Sequence, residues 1–302
     1  MRASLWRIWL TALAEWRGAI RSRRALVLLV LYLACAVLCM YGTISILGKM
    51  ETELASLLQL PDGGQTGVVS ETLWKSEPFR RLVRAVVGDS LVFEDLLTHH
   101  PVDLLYAWFA FLFAPMLVVL VSGGRVAEER SSGAVRYMLM RVTRLEWSFG
   151  KYVGQAMLLA CAIAASALGA WCVMLCRLPS ASAVGLLSPL LFWGAKAWVY
   201  SLSWLGLSLG LSHLTRTSSK AVALGLLCVG LLSAMPGILG LLVGNLGWPQ
   251  VLLHLETIAP AYAEHALWRS SPVALAAAAF HLVSLGLAYL MAGAAVFARR
   301  DT

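Results

Sequence analysis

Glu128 and Glu129 are adjacent carboxylates, followed at close range by Arg130, Arg136, Arg141, Arg144 and Lys151. A carboxylate pair is raw material for acid–base chemistry, but no pair of partner histidines follows to complete such a site. What remains is charge: two acids heading a basic stretch. Cys35/Cys39 and Cys172/Cys176 are spaced i,i+4, which is also metal-ligand spacing, yet no His or carboxylate accompanies either pair. They read as small packing residues. All six cysteines lie in apolar runs, so no disulfide framework is expected. Adjacent His99 and His100, with scattered methionines, suggest copper, but neighbouring histidines cannot share a helix face and no further ligands converge. No metal site is expected. Lys196 is the one charge inside a long apolar run, among Trp193, Trp198, Tyr200 and Trp204. It either lines a pathway for an anionic group or snorkels to the outer headgroups within an aromatic belt, and its closeness to the interface favours snorkelling. His281 and Asn245 are weaker still, a helix-packing group and a span-ending residue.

The elements that must carry these residues are membrane helices. Of 302 residues, 60% are hydrophobic and only 13% charged, against roughly 25% charged in a soluble domain. A crossing takes about 20 apolar residues. Uncharged runs at 25–47, 104–122, 152–176, 221–243 and 273–297 supply five. The 38-residue stretch Leu178–Thr215, interrupted only by Lys196, is too long for one crossing and lacks a turn for two. It reads as a single span at 186–211 preceded by an interfacial stretch with Pro179 and Pro189. The expectation is an all-α polytopic membrane protein with six transmembrane helices. The first run exceeds the h-region of a signal peptide and reads as a retained anchor.

With both termini inside, the inner segments hold 16 of the 24 basic residues and five of the 16 acids. Positive loops resist translocation, so both termini are expected in the cytoplasm. The net charge of +8 then reflects topology and anionic lipid, not nucleic acid. Residues 1–24 place Trp6, Trp9, Leu13, Trp16 and Ile20 on one stripe ringed by arginines, an amphipathic helix for the inner headgroup plane. Residues 48–103 form an outer segment with helical stretches at 50–60 and 78–97 around the Pro61-Asp62-Gly63-Gly64 turn. Residues 244–272 return to the outer surface, with Trp248, Tyr262 and Trp268 suited to an interface.

The stretch 123–151 faces the cytoplasm. Val135, Met138, Leu139 and Val142 recur at helical spacing with arginines between them. Two readings stand on the residues alone: a basic loop that sets topology, and a short amphipathic helix acting as a lever on a soluble partner.

This stretch resembles the signature of ABC type-2 transporter permeases. Glu129-Arg130 matches the acidic–basic pair after the second span, Gly133 the glycine, and 135–140 the apolar turn. Arg144 matches the arginine, and Gly150-Lys151 the closing pair, with five residues between. Ala134 stands where threonine is usual and a proline is missing, so the turn before Arg144 differs in shape. The amphipathic start, the short inner loop 213–220 and the Phe297–Asp301 ending extend the likeness over nearly the full chain. They point to the subfamily that includes the nitrous-oxide-reductase maturation permease. The resemblance implies a non-catalytic membrane subunit of an ABC exporter in a bacterial inner membrane. It also implies pairing with a second copy, as homodimer or heterodimer, an ABC ATPase partner that binds the ATP and magnesium, and short helices in 244–272 that re-enter the outer leaflet. The coupling residues would be Glu128, Glu129, Arg130, Gly133, Met138, Leu139, Arg144, Gly150 and Lys151, with Lys196 a candidate pathway residue.

Other functions fail on the residues. No G-x-x-x-x-G-K-[ST] loop exists, so the chain cannot hold ATP by that route. The Glu-Glu-x-x-x-Arg pattern of prenyl-protein proteases fails because position 133 is Gly133. A secondary transporter would need intramembrane carboxylates or broken helices, and none of the six runs contains Asp or Glu. Force transmission to a periplasmic partner stays open beside substrate export.

Overall fold

The computed structural model describes residues 2–57, Arg81, 101–177 and 183–300. His99-His100, the helical stretch expected at 78–97 and the rest of 58–100, Arg81 apart, lie outside the described residues, as does Pro179. Every element among the described residues is helical: α1 (Arg2–Arg21), α2 (Arg23–Leu57), α3 (Pro101–Ser122), α4 (Arg125–Ser131), α5 (Ala134–Leu139) and α6 (Arg144–Arg177). Then come α7 (Ala183–Leu214), α8 (Ser218–Leu246), a 3-10 stretch (Gln250–Ile258), α9 (Pro260–Leu267) and α10 (Pro272–Arg300).

Five described stretches are long and apolar enough to cross a membrane: Ala25–Ile46, Val102–Ser131, Arg144–Arg177, Ser218–Leu246 and Pro272–Arg299. Length does not exclude α7, which has 32 residues. Its apolarity is diluted by serines, tryptophans and Lys196, because α7 is the hub of the fold. It packs against α10, α3, α6 and α8, and Trp193, Trp204, Ser201, Ser203 and Ser208 are all buried. A helix enclosed by other helices need not be apolar all round, since its polar groups find partners inside the bundle. The serines do so locally: Ser201 Oγ donates to the Trp198 carbonyl at 2.7 Å and Ser203 Oγ to the Tyr200 carbonyl at 2.8 Å. Pro189 falls inside α7, so the helix takes in part of the stretch read as interfacial.

Small residues set the tightest crossing. A Cβ added at Gly210 would lie 2.5 Å from the Tyr289 carbonyl oxygen, and one at Gly286 would lie 2.6 Å from the Leu202 carbonyl oxygen. The Gly206-x-x-x-Gly210 pair thus lets α7 and α10 meet backbone to backbone. Longer polar groups link helices through carbonyls: Tyr152 Oη donates to Leu202 (3.1 Å), Trp198 Nε1 to Ala156 (2.9 Å) and Tyr106 Oη to Ile163 (3.2 Å).

At one end of the bundle, α9 folds back between α7, α8 and α10 and buries Pro260, Ala261, Ala263 and Leu267. Trp268 follows it into a cluster of rings, 5.0 Å from Trp193 and 5.1 Å from Phe111 between centroids. At the other end lie α1, α4, α5 and the tail of α10.

Candidate functional site

The stretch expected to form one lever is two short helices. Gly133 separates them at φ +75° with open space around it, so the backbone conformation, rather than crowding, calls for glycine there. Glu128 and Glu129 consequently sit in α4, not at the start of the helix that carries Met138 and Leu139. Within α5, Met138 and Leu139 are half-buried against the core. Tyr137 and Met140 turn outward, 75% and 80% exposed.

α6 then starts from a reciprocal cap. The Thr143 N–H donates to Glu146 Oε2 at 2.9 Å, and the Glu146 N–H to Thr143 Oγ1 at 3.3 Å. This is the S/T-x-x-E pattern that satisfies orphan donors at a helix start. The cap fixes where Gly150 and Lys151 fall. A Cβ at Gly150 would lie 2.5 Å from Thr11 Cβ, and one at Gly154 would lie 2.7 Å from the Ala12 carbonyl oxygen. The two glycines therefore form the bed on which α1 lies.

Lys151 is the centre of this site. Only 2% exposed, its Nζ donates to Glu129 Oε1 at 2.6 Å and to Glu15 Oε2 at 2.7 Å. Glu15 accepts a further bond on Oε1 from Gln155 Nε2 at 2.6 Å, and Gln155 Oε1 accepts one from Ser122 Oγ at 3.0 Å. One cation thus joins α1, α4 and α6, and the amide beyond it reaches the last residue of α3. Burial alone would raise the Glu15 carboxyl, but the Lys151 ammonium and its hydrogen bonds hold it below the ordinary carboxylate range. A buried cation needs such partners, because stripped of them it would forfeit its hydration for nothing in return.

A second group of contacts closes around Phe297. Arg130 Nη1 donates to the carbonyls of His213 (2.7 Å) and Thr215 (3.4 Å), with its guanidinium 4.8 Å from the Phe297 ring centroid. Arg144 Nη1 donates to the Ala298 carbonyl at 2.9 Å, with its guanidinium 5.4 Å from the same ring. Both cations sit at the carbonyl ends of long helices, where the macrodipole favours them. His213 bridges Ser148 and the Leu209 carbonyl.

Of the residues singled out from the sequence, Glu129, Arg130, Arg144, Gly150 and Lys151 therefore come together with Gly133 between the two short helices. Glu128 is exposed beside them. Glu15, Gln155, Ser122 and His213 were not anticipated. The signal for Glu15 was its being the lone acid in a helix otherwise carrying only arginine charges.

Lys196 does not snorkel. It is 3% exposed, with its ammonium 4.2 Å from the Trp193 ring, 4.4 Å from Phe192 and 3.3 Å from the Arg269 carbonyl it donates to. The turn after α9 covers it. The same fold-back brings Glu264 against Tyr200 and Trp268, at the edge of a hollow of about 380 Å³ also lined by Trp108, Met116 and Leu226. Burial raises the Glu264 carboxyl above its usual range.

Described residues that are all helical, with five stretches fit to cross a bilayer among them, make this a multi-pass membrane protein. The chain belongs to the ABC-2 family of transporter proteins, whose sequence pattern matches residues 9–302. No curated protein matches it. Membership makes it an ABC permease subunit, a membrane component of transport, and implies an ABC ATPase subunit as partner.

Proposed function

We propose that this permease couples ATP hydrolysis by a separate ATPase to export of a substrate across the bacterial cytoplasmic membrane, working as a pair of permease copies. The observation that carries this reading is the buried Glu129–Lys151–Glu15 bridge. Motion applied to α4 and α5 passes through Lys151 into α6 and, through Glu15, into α1. With six spans, α7 included, both termini and α4–α5 share one side of the membrane, and their basic charge supports the cytoplasmic side. The outward Tyr137 and Met140 are the contact for the ATPase, since exposed apolar anchors dominate such interfaces. Met138 and Leu139 hold α5 to the bundle. α1 turns Leu5, Trp6 and Trp9 away from the protein, the arrangement of a helix lying in the headgroup plane.

The test is co-purification of a tagged ATPase with variant permeases, together with coupled ATPase activity. Met140→Asp should lose bound ATPase, because a charge would be desolvated in the contact. Glu129→Lys should retain bound ATPase yet lose coupling, because it sets two cations against each other at Lys151. Normal binding and coupling in both variants would overturn the proposal. Reporter fusions at Ser131 and Thr302 should read cytoplasmic, and fusions at Gly63 external.

A further inference from the structure

Four arginines line a single cleft behind α5. Arg130 and Arg136 come from α4 and α5, Arg144 from the start of α6 and Arg216 from the turn between α7 and α8, around a volume of about 510 Å³. Leu139 and Gly133 complete part of its wall. No carboxylate of the described residues lines it. Of the nearby acids, Glu129 is bound to Lys151, and Glu146 caps α6 and lies 3.8 Å from Arg7. Glu128 lines a different hollow, with Arg125 and Ser218.

In a merely solvated basic loop the arginines would diverge, since like charges repel. Two of these are instead pinned. Arg130 and Arg144 approach the same Phe297 ring, each with one nitrogen of its fork held by a carbonyl at the end of α7 or α10. Arg136 and Arg216 are exposed and reach the cleft from two other elements. Guanidinium forks match the oxygens of a phosphate group bidentately, and several around one cavity form a site for a multiply charged oxyanion. The cleft is larger than a bare phosphate group, which leaves room for a substituent on it.

We propose that this cleft binds a phosphate-type oxyanion, either a free phosphate or the phosphodiester of an anionic lipid headgroup. The bound oxyanion would tie α5 and the α7–α8 turn to the arginines of α4 and α6, bracing the lever from behind while Tyr137 and Met140 stay free on its other side. The site requires no ATPase, so its test is independent of the coupling proposal.

Thermal unfolding of the purified permease in a neutral detergent reads it directly. The probes are inorganic phosphate against chloride at matched ionic strength, and dihexanoyl phosphatidylglycerol against dihexanoyl phosphatidylcholine below their micelle concentrations. We expect a rise in midpoint of about 2–5 °C at saturating probe, lost in the double variant Arg136→Gln/Arg216→Gln. Both residues are exposed, so the variant should fold. A rise with inorganic phosphate identifies a free oxyanion as sufficient, and a rise with phosphatidylglycerol alone identifies a headgroup site. The proposal is overturned if neither probe exceeds its control, or if the rise persists undiminished in the double variant.

Discussion

Lys151 Nζ lies 2.6 Å from Glu129 Oε1, so a residue near the start of α6 is bonded directly to an acid of α4, 22 residues earlier in the sequence and on the far side of α5. The same ammonium holds Glu15 at 2.7 Å, 136 residues away in sequence. Removing the cation would leave both acids facing one another around a buried space.

The first prediction follows from that geometry. Lys151→Ala should release α1 from α6 at a cost of about 3 kcal/mol, the low end for breaking a buried pair. Limited trypsin digestion is the check, with faster cleavage after Arg17 and Arg21 in the variant than in the wild type. Equal cleavage rates would mean that Gly150 and Gly154 packing alone retains α1.

Acid should undo the same contact. The Glu15 carboxyl is held below its ordinary value of 4.5, so its contribution to stability is fully present above that pH. It is lost as pH falls further, through the folded-state value. The stability difference between wild type and Glu15→Gln should therefore stay constant through neutral pH and shrink only below about 4.5. A difference that changes between pH 6 and 8 would contradict the Lys151 pairing.

Lys196 gives a contrast between two burial modes. A snorkelling lysine tolerates Gln and Arg equally. Held between Phe192, Trp193 and the Arg269 carbonyl, the ammonium makes cation–π contacts worth up to about 2 kcal/mol when desolvated. Lys196→Gln should lower the thermal midpoint in detergent, and Lys196→Arg should recover part of the loss. Identical midpoints for the three proteins would return Lys196 to the snorkelling reading.

How much of this was legible follows from what kind of pattern each feature leaves. Apolar runs mark helices one at a time, so α2, α3, α6, α8 and α10 could be read directly. α7 was harder to bound, because a hub helix borrows its apolar surroundings from its neighbours. The crossing of Gly206 and Gly210 with α10 depends on residues about eighty positions apart, and a single sequence carries no sign of that pairing. The Thr143-x-x-Glu146 cap was visible as a local pattern and would have placed the start of α6. Gly150-Lys151 was recognised by likeness alone. Its physical reason, a bed for α1 and a cation for Glu15, needed the packing of the two helices. Glu264 lies in the segment expected to re-enter the outer leaflet, but its burial against Tyr200 and Trp268 comes from the fold-back of α9, which no local pattern carries.

Glu264 supplies the last prediction, opposite in sign to Glu15. Burial raises its carboxyl above the ordinary 4.5, so the folded protein binds this proton more tightly than the unfolded chain does. Stability from this group is then greatest at low pH and falls as pH climbs from about 4.5 through the folded-state value. Glu264→Gln, a neutral side chain of the same shape that can still accept from Tyr200 and Trp268, removes the cost of holding a charge there. The variant should match the wild type below about pH 4.5 and be the more stable of the two at neutral pH. Thermal unfolding in detergent across pH 4 to 8 measures both limits. A variant less stable than wild type at neutral pH would show that the charged carboxylate is held by a cationic partner in the folded protein.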